Sequence, residues 1–153
     1  MSQTDALLRE VAILYTQAQR TTAACCDVKS QTQCMVITEL GRHEPLTPLE
    51  LAERLGFEKS WMGRVVGQLE AEGLVAKFPN QADGRSYLLR LTPAGNARFE
   101  QLNLILNAHA ERLMDFIPPD QRAMVQEALL LVRDALLAEA HTLEAIASNC
   151  MID

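Results

Sequence analysis

Residues Leu46–Thr92 read LTPLELAERLGFEKSWMGRVVGQLEAEGLVAKFPNQADGRSYLLRLT, and this stretch decides the fold. Thr47-Pro48-Leu49-Glu50 sets a hydroxyl at a helix N-cap, proline at the first helical position and a carboxylate three residues after the cap, the pattern of a capping box. The helix it opens carries Leu51, Ala52 and Leu55 on one face, and Gly56 supplies the residue that tolerates positive φ where it stops. A second helix starts near Glu58. It turns Met62, Val65, Val66 and Leu69 inward and leaves Lys59, Ser60, Trp61, Gly63, Arg64, Gly67 and Gln68 for the other face. Two short helices about a glycine turn, with small Ala52 where a larger residue would push them apart, fit a helix-turn-helix. Gly73 ends the second helix, and Leu74–Phe78 and Ser86–Leu91 read as two strands around a polar loop that holds Asp83 and Arg85. The expected unit is a winged helix-turn-helix. Its second helix can enter a major groove and read base edges, while an arginine at the hairpin tip reaches phosphate or a narrow minor groove.

The flanks read as helices that need a partner. Between Asp5 and Ala24, Leu7, Leu8, Val11, Leu14, Tyr15 and Ala18 recur at helical spacing. After a break at Asp27-Val28-Lys29, a cap at Ser30 or Thr32 introduces a helix from Gln33 to Arg42 with Met35, Val36, Ile37 and Leu40 inward. Thr92-Pro93 opens a long helix to about Phe116, with Phe99, Leu102, Leu106, Leu113 and Phe116 apolar. Pro118-Pro119 stops it, and Asp120 is expected to cap a last helix from Gln121 to about Ser148. That last helix is apolar almost all round through Leu129–Val132 and Ala135–Leu137, so it must be covered on more than one side. Pairing the terminal helices of two subunits buries it, and a two-fold dimer presents two heads about one DNA turn, roughly 34–36 Å, apart. The fold class is thus mainly α with a small β wing: a DNA-binding head at 46–92, and a helical dimerisation region formed by 1–45 and 93–153.

Composition limits the alternatives. A chain of 153 residues, 48% hydrophobic and 22% charged, builds a head plus a dimerisation module and leaves no room for two enzyme domains. No basic-then-apolar leader is seen at Met1–Asp5 and no apolar run approaches a membrane span, so cytoplasm is expected, with no membrane partner. The net charge of −6 divides unevenly. The head holds six basic residues (Arg54, Lys59, Arg64, Lys77, Arg85, Arg90) and six acidic ones (Glu50, Glu53, Glu58, Glu70, Glu72, Asp83), so the whole excess lies outside it. Few phosphate contacts and weak non-specific binding follow, since each contact adds about −0.9 to the slope of log K on log salt.

The segments Leu49-x-Leu51-Ala52-Glu53-Arg54-Leu55-Gly56, Lys59-Ser60-x-x-x-Arg64-Val65-Val66-x-x-Leu69-Glu70-x-x-Gly73-Leu74-Val75, Asp83-x-Arg85-Ser86 and Leu91-Thr92-Pro93-Ala94-Gly95 resemble the MarR family of winged-helix transcription regulators. The resemblance covers roughly the middle third of the chain. It implies a homodimer on a palindromic double-stranded operator, usually repressing, and relieved by a small molecule, metal or oxidant. The candidate DNA contacts are Lys59, Ser60, Trp61, Gly63, Arg64, Gln68, Asp83 and Arg85. Gly63 and Gly67 are poor helix formers that would let backbone approach DNA closely. Trp61 either meets a thymine methyl or sugar, or packs against the wing or first helix.

Four cysteines point to what such a regulator senses. Cys25 and Cys26 are vicinal at the end of the first helix, Cys34 lies in the first turn of the second, and Cys150 is near the C-terminus. Thiolates clustered at one bend favour a thiophilic ion such as arsenite or antimonite, Cu(I) or Zn²⁺, or reversible oxidation. In MarR-like dimers this bend borders a cleft where effectors commonly act. The expected effector site is Cys25, Cys26, Cys34 and Cys150, with the first three as metal or metalloid ligands and no obligatory cofactor. A regulator responsive to oxidation or to a small aromatic or phenolic ligand is the alternative, and buried structural thiols are the plain one. A zinc site at His43 and His109 lacks a second histidine one turn from His109, where Arg112 and Leu113 stand. No phosphate-cradling loop, nucleophile elbow or Cys-x-x-Cys motif is present, so no enzyme is expected. A winged helix used only for protein contacts would leave Arg64 and Arg85 without phosphate or base partners.

Overall fold

A computed structural model describes residues 2–24 and 29–150, the side chains of 23 and 145–150 excepted. The chain runs α1 (Gln3–Ala23), α2 (Gln31–His43), α3 (Pro48–Leu55), α4 (Lys59–Ala71), β1 (Val75–Pro79), β2 (Tyr87–Leu91), α5 (Pro93–Asp115), a single 3-10 turn (Pro119–Gln121) and α6 (Arg122–Cys150). It is mainly helical with one small two-stranded antiparallel sheet.

Local chemistry sets most of these boundaries. The Thr47 hydroxyl accepts from Glu50 N at 3.2 Å and the Glu50 carboxylate accepts from Thr47 N at 2.8 Å, which closes the capping box of α3. Gly56 ends α3 with φ 70°, in the left-handed region where a side chain would be strained. Ser30 caps α2 by accepting from Gln33 N at 3.2 Å, so α2 begins two residues before the expected start. Thr92 joins three elements. Its backbone N donates to Leu74 O at 3.0 Å, its hydroxyl donates to Gly73 O at 2.6 Å, and that hydroxyl also accepts from Gly95 N at 3.0 Å.

One compact unit spans residues 1–109. Its core is built from Val36, Ile37 and Leu40 of α2, Leu51 of α3, Met62, Val66 and Leu69 of α4, Leu89 of β2 and Leu102 of α5, all fully buried. The unit includes α1, α2 and α5 as far as His109, all of which the sequence reading grouped with the last helix as a dimerisation region. The hairpin pairs Val75 with Leu91 and Pro79 with Tyr87, putting Val75, Leu89 and Leu91 on the core side. Leu46 adds a short third edge by exchanging both backbone bonds with Leu89, at 2.7 and 3.3 Å. Two glycines mark close approaches: a Cβ at Gly95 would collide with the Leu74 carbonyl, and one at Gly41 with the Phe99 ring.

The second unit, residues 110–153, holds the end of α5, the 3-10 turn and α6. Arg122 ties it together, donating to Ile117 O at 3.1 Å and meeting Asp115 at 3.5 Å. Asp120, expected to cap the last helix, lies inside the 3-10 turn, and α6 starts at Arg122. The cause is the paired prolines. Pro118 and Pro119 offer no N–H, and the first bond made is Gln121 N to Pro118 O at 2.9 Å, an i to i+3 closure.

Large apolar side chains remain uncovered on both terminal helices. Leu7, Leu8, Val11, Ile13, Leu14 and Tyr15 of α1 are each 50–59% exposed, and Leu129–Val132, Leu136 and Leu137 of α6 are 40–66% exposed. Clustered exposed apolar side chains of this kind are a feature of interaction surfaces. Among the described residues no helix is long and apolar enough to cross a membrane.

Candidate nucleic-acid interface

Helix α4 presents its two faces cleanly. Met62, Val65, Val66 and Leu69 are buried, while Lys59, Ser60, Trp61, Gly63, Arg64, Gly67 and Gln68 are exposed, as the period of an amphipathic helix requires. Trp61 stands 46% exposed on that outer face. A Cβ at Gly63 or Gly67 would meet nothing within 4 Å, so packing does not demand glycine at either position.

The wing loop is shaped by two side chains folding onto their own backbone. Asn80 Oδ1 accepts from Ala82 N at 3.1 Å and Asp83 Oδ1 accepts from Arg85 N at 3.0 Å, while Ser86 N donates to Asp83 O at 3.1 Å. Asp83 thus caps the turn through backbone, and Arg85 is exposed beside it.

Between the start of α4 and the wing lies a cleft of about 420 Å³, lined by Thr47, Pro48, Leu49, Lys59, Gly63, Asn80, Asp83, Arg85, Ser86 and Tyr87. It brings together four of the sequence-predicted residues, Lys59, Gly63, Asp83 and Arg85. Ser60, Trp61, Arg64 and Gln68 lie outside its lining, on the exposed face of α4. Sequence reasoning missed the α3 start and the wing residues Asn80, Ser86 and Tyr87; of these Asn80 carries a local signal, as a turn-opening residue.

Charge in the head is sorted by pairing. Lys77 meets Glu70 at 3.5 Å and lies over the Tyr87 ring, Arg90 lies over the Phe78 ring, and Arg54 is held by Glu39 at 3.2 Å. Among the described residues Lys59, Arg64 and Arg85 make no ion pair. Three cations without an ion pair therefore border this face, together with two acids: Glu58 at the start of α4 and Asp83 in the cleft lining.

Cys34 is 7% exposed, in the first turn of α2. Cys25, Cys26 and the Cys150 side chain lie outside the described residues. His43 stands 3.9 Å from Glu39 and His109 stacks on Tyr15 at 6.4 Å between ring centres, so each has its own neighbour. Among the described residues no three metal-binding side chains gather.

The family model described as "MarR family" matches residues 29–87. The HTH-type transcriptional repressor MdtR of Bacillus subtilis (strain 168) is 30% identical over 107 residues, 70% of this chain and 68% of MdtR. The crystal structure of wild-type apo MarR from E. coli superposes with a TM-score of 0.76 at 23% identity, over 86% of this chain and 98% of that one. A crystal structure of the S. aureus MepR–DNA complex gives a TM-score of 0.73 at 17% identity, over 88% of this chain and 99% of that one.

Proposed function

Because the chain belongs to the MarR family of DNA-binding transcriptional regulators, and is not an enzyme, we propose that it acts as a homodimeric repressor of a palindromic operator, released by a thiophilic effector. The observation that carries the DNA part is the exposed face of α4 beside the wing cleft, with Lys59, Arg64 and Arg85 uncommitted. Helix α4 enters the major groove, where Arg64, Gln68 and Ser60 reach base edges. Arg85 follows the backbone from the wing, and the bare surface at Gly63 and Gly67 lets α4 sit close to the duplex. Dimerisation is supported by the uncovered leucines of α1 and α6.

Release is assigned to the bend between α1 and α2. Cys34, with Cys25 or Cys26, captures a soft trivalent ion such as arsenite or antimonite. Each thiol gives its proton to a leaving hydroxide, one As–S bond forms for each As–O bond broken, water departs, and no electrons move. A tie at the bend changes the separation of the two heads. Moving a two-state equilibrium from 1:99 to 99:1 needs only about 5.5 kcal/mol of differential affinity, within reach of two or three such bonds. The cytoplasm is the compartment where these thiols stay reduced.

The test is a mobility shift on the gene's own upstream DNA with arsenite, antimonite, Zn²⁺, Cu(I) and peroxide, for the parent and for single and combined Cys→Ser variants. Arsenite or antimonite should release the parent alone. Release of the variant lacking all four cysteines by the same inducer would sink the thiol switch in favour of an uncharged aromatic ligand, and release of the parent by peroxide alone would favour oxidation.

A further inference from the structure

Gln33 is a long polar side chain only 2% exposed, in the first turn of α2, and both ends of its amide are used. Its Oε1 accepts from Lys29 N at 3.1 Å, and its Nε2 donates to Glu72 Oε1 at 3.3 Å. Glu72 is the C-cap residue of α4, and the Lys29 ammonium meets the same oxygen at 3.0 Å. Two residues earlier, Gln31 accepts from Arg20 Nε at 3.3 Å and donates to Gln19 Oε1 at 3.4 Å, both in the last turns of α1. The first turn of α2 is thus bonded to the end of α1 on one side and to the end of α4 on the other.

We propose that Gln33 and Glu72 are positioning residues, the joint through which the bend between α1 and α2 sets the pose of α4 on DNA. A buried amide leaves few alternatives. If the turn carrying Gln33 shifts, either Glu72 follows or a buried N–H loses its acceptor, and the second costs more than the first. Glu72 sits immediately before Gly73 (φ 73°) and the half-turn whose Leu74 N closes on Leu69 O at 2.9 Å, so a pull on it is delivered to the helix backbone rather than absorbed by a loose loop. Lys29 reinforces the joint electrostatically from a side chain that is 73% exposed, whereas Gln33 supplies its fixed geometry. The inference rests on reading α4 as the recognition helix; it does not require the effector to be a metalloid.

The experiment is a double-mutant cycle on the full chain, with Kd measured by fluorescence anisotropy on the gene's own upstream DNA. Gln31→Ala cuts the α1 side of the joint and Glu72→Ala the α4 side; Gln31 is half-buried and Glu72 exposed, and thermal melts establish that each variant is folded at the assay temperature. Each single change should weaken binding by about threefold to tenfold, the scale of one lost hydrogen bond. The double variant should be no weaker than the worse single one, because a joint cut at one end transmits nothing from the other. Glu72→Gln keeps an acceptor for Gln33 and should stay within about twofold of the parent. Multiplying effects in the double variant, or Glu72→Gln as weak as Glu72→Ala, would overturn the joint while leaving α4 as the reader. Unchanged affinity in Arg64→Ala and Arg85→Ala controls would overturn the reading of α4, and the joint with it.

Discussion

Removing the Arg85 guanidinium should flatten the salt dependence of operator binding by an amount the structure specifies. Lys59, Arg64 and Arg85 are the head cations that border the interface without an ion pair, so a dimer offers six. If each neutralises one phosphate, log Kd rises with log salt with a slope of about 5.4, at about 0.9 per contact. Arg85→Ala removes two per dimer and leaves about 3.6. From about 50 to about 200 mM salt the parent should lose roughly 2000-fold in affinity and the variant roughly 150-fold, so the two curves converge by about a factor of 12. The assay is anisotropy on a labelled operator fragment at four salt concentrations, with Lys77→Ala as control. Lys77 is already held by Glu70 and the Tyr87 ring, so its removal should leave the slope unchanged. An unaltered slope in Arg85→Ala, or an equal change in Lys77→Ala, would refute the assignment of the wing arginine to phosphate. Arg64→Ala should lower the slope too, and in addition relax preference at one base position per half-site.

Glycine substitutions should split into two kinds. Gly95→Ala drives a Cβ into the Leu74 carbonyl and should cost about 1–3 kcal/mol in urea unfolding, whereas Gly63→Ala meets open space and should gain about 1 kcal/mol while weakening operator binding. A Gly63→Ala protein that is stabler and binds undiminished would show that DNA backbone does not approach there. The hydrogen bond from Lys29, opposed by partial burial, holds the Glu72 carboxyl below its usual range. A depressed folded value means that the stabilisation is complete above the ordinary value near about 4.3 and is lost as pH falls through the folded one. The stability difference between parent and Glu72→Gln should therefore shrink from pH 6 toward pH 3; a constant difference would oppose the pairing. Leu130→Glu with Leu137→Glu on α6 should give monomers by sedimentation at micromolar concentration, with loss of operator binding.

The helix-turn-helix was legible because its punctuation is local. Thr47, Pro48, Glu50 and Gly56 act within one turn of themselves, so their chemistry can be read without knowing what packs against them. The wing was legible for a similar reason: Gly73 and the polar stretch between Pro79 and Arg85 punctuate two apolar runs, and burial alternates from Leu89 to Leu91 with a period of two. Leu46 pairing with Leu89 was not, since nothing in a single leucine announces a strand partner more than forty residues away. Gln33 was read only as the start of a helix, and its burial depends on Glu72, 39 positions later. Asp120 misled because an acid after two prolines looks like a cap, while the missing donors favoured a tighter turn. The wing cleft is the product of three segments, and sequence identified only the α4 and wing-tip contributions to it.

The uncovered leucines of α1 and α6 and the outward face of α4 share no residue, and this separation has a genetic meaning. In the proposed dimer, a subunit whose α4 is ruined would still pair through intact terminal helices and so take a healthy partner out of service with it. If both alleles are made in equal amounts, random pairing leaves about a quarter of the dimers with two good heads. Lesions in α4 should therefore be dominant over the normal allele, and lesions that spoil the leucine faces should be recessive, because a chain that cannot pair cannot poison.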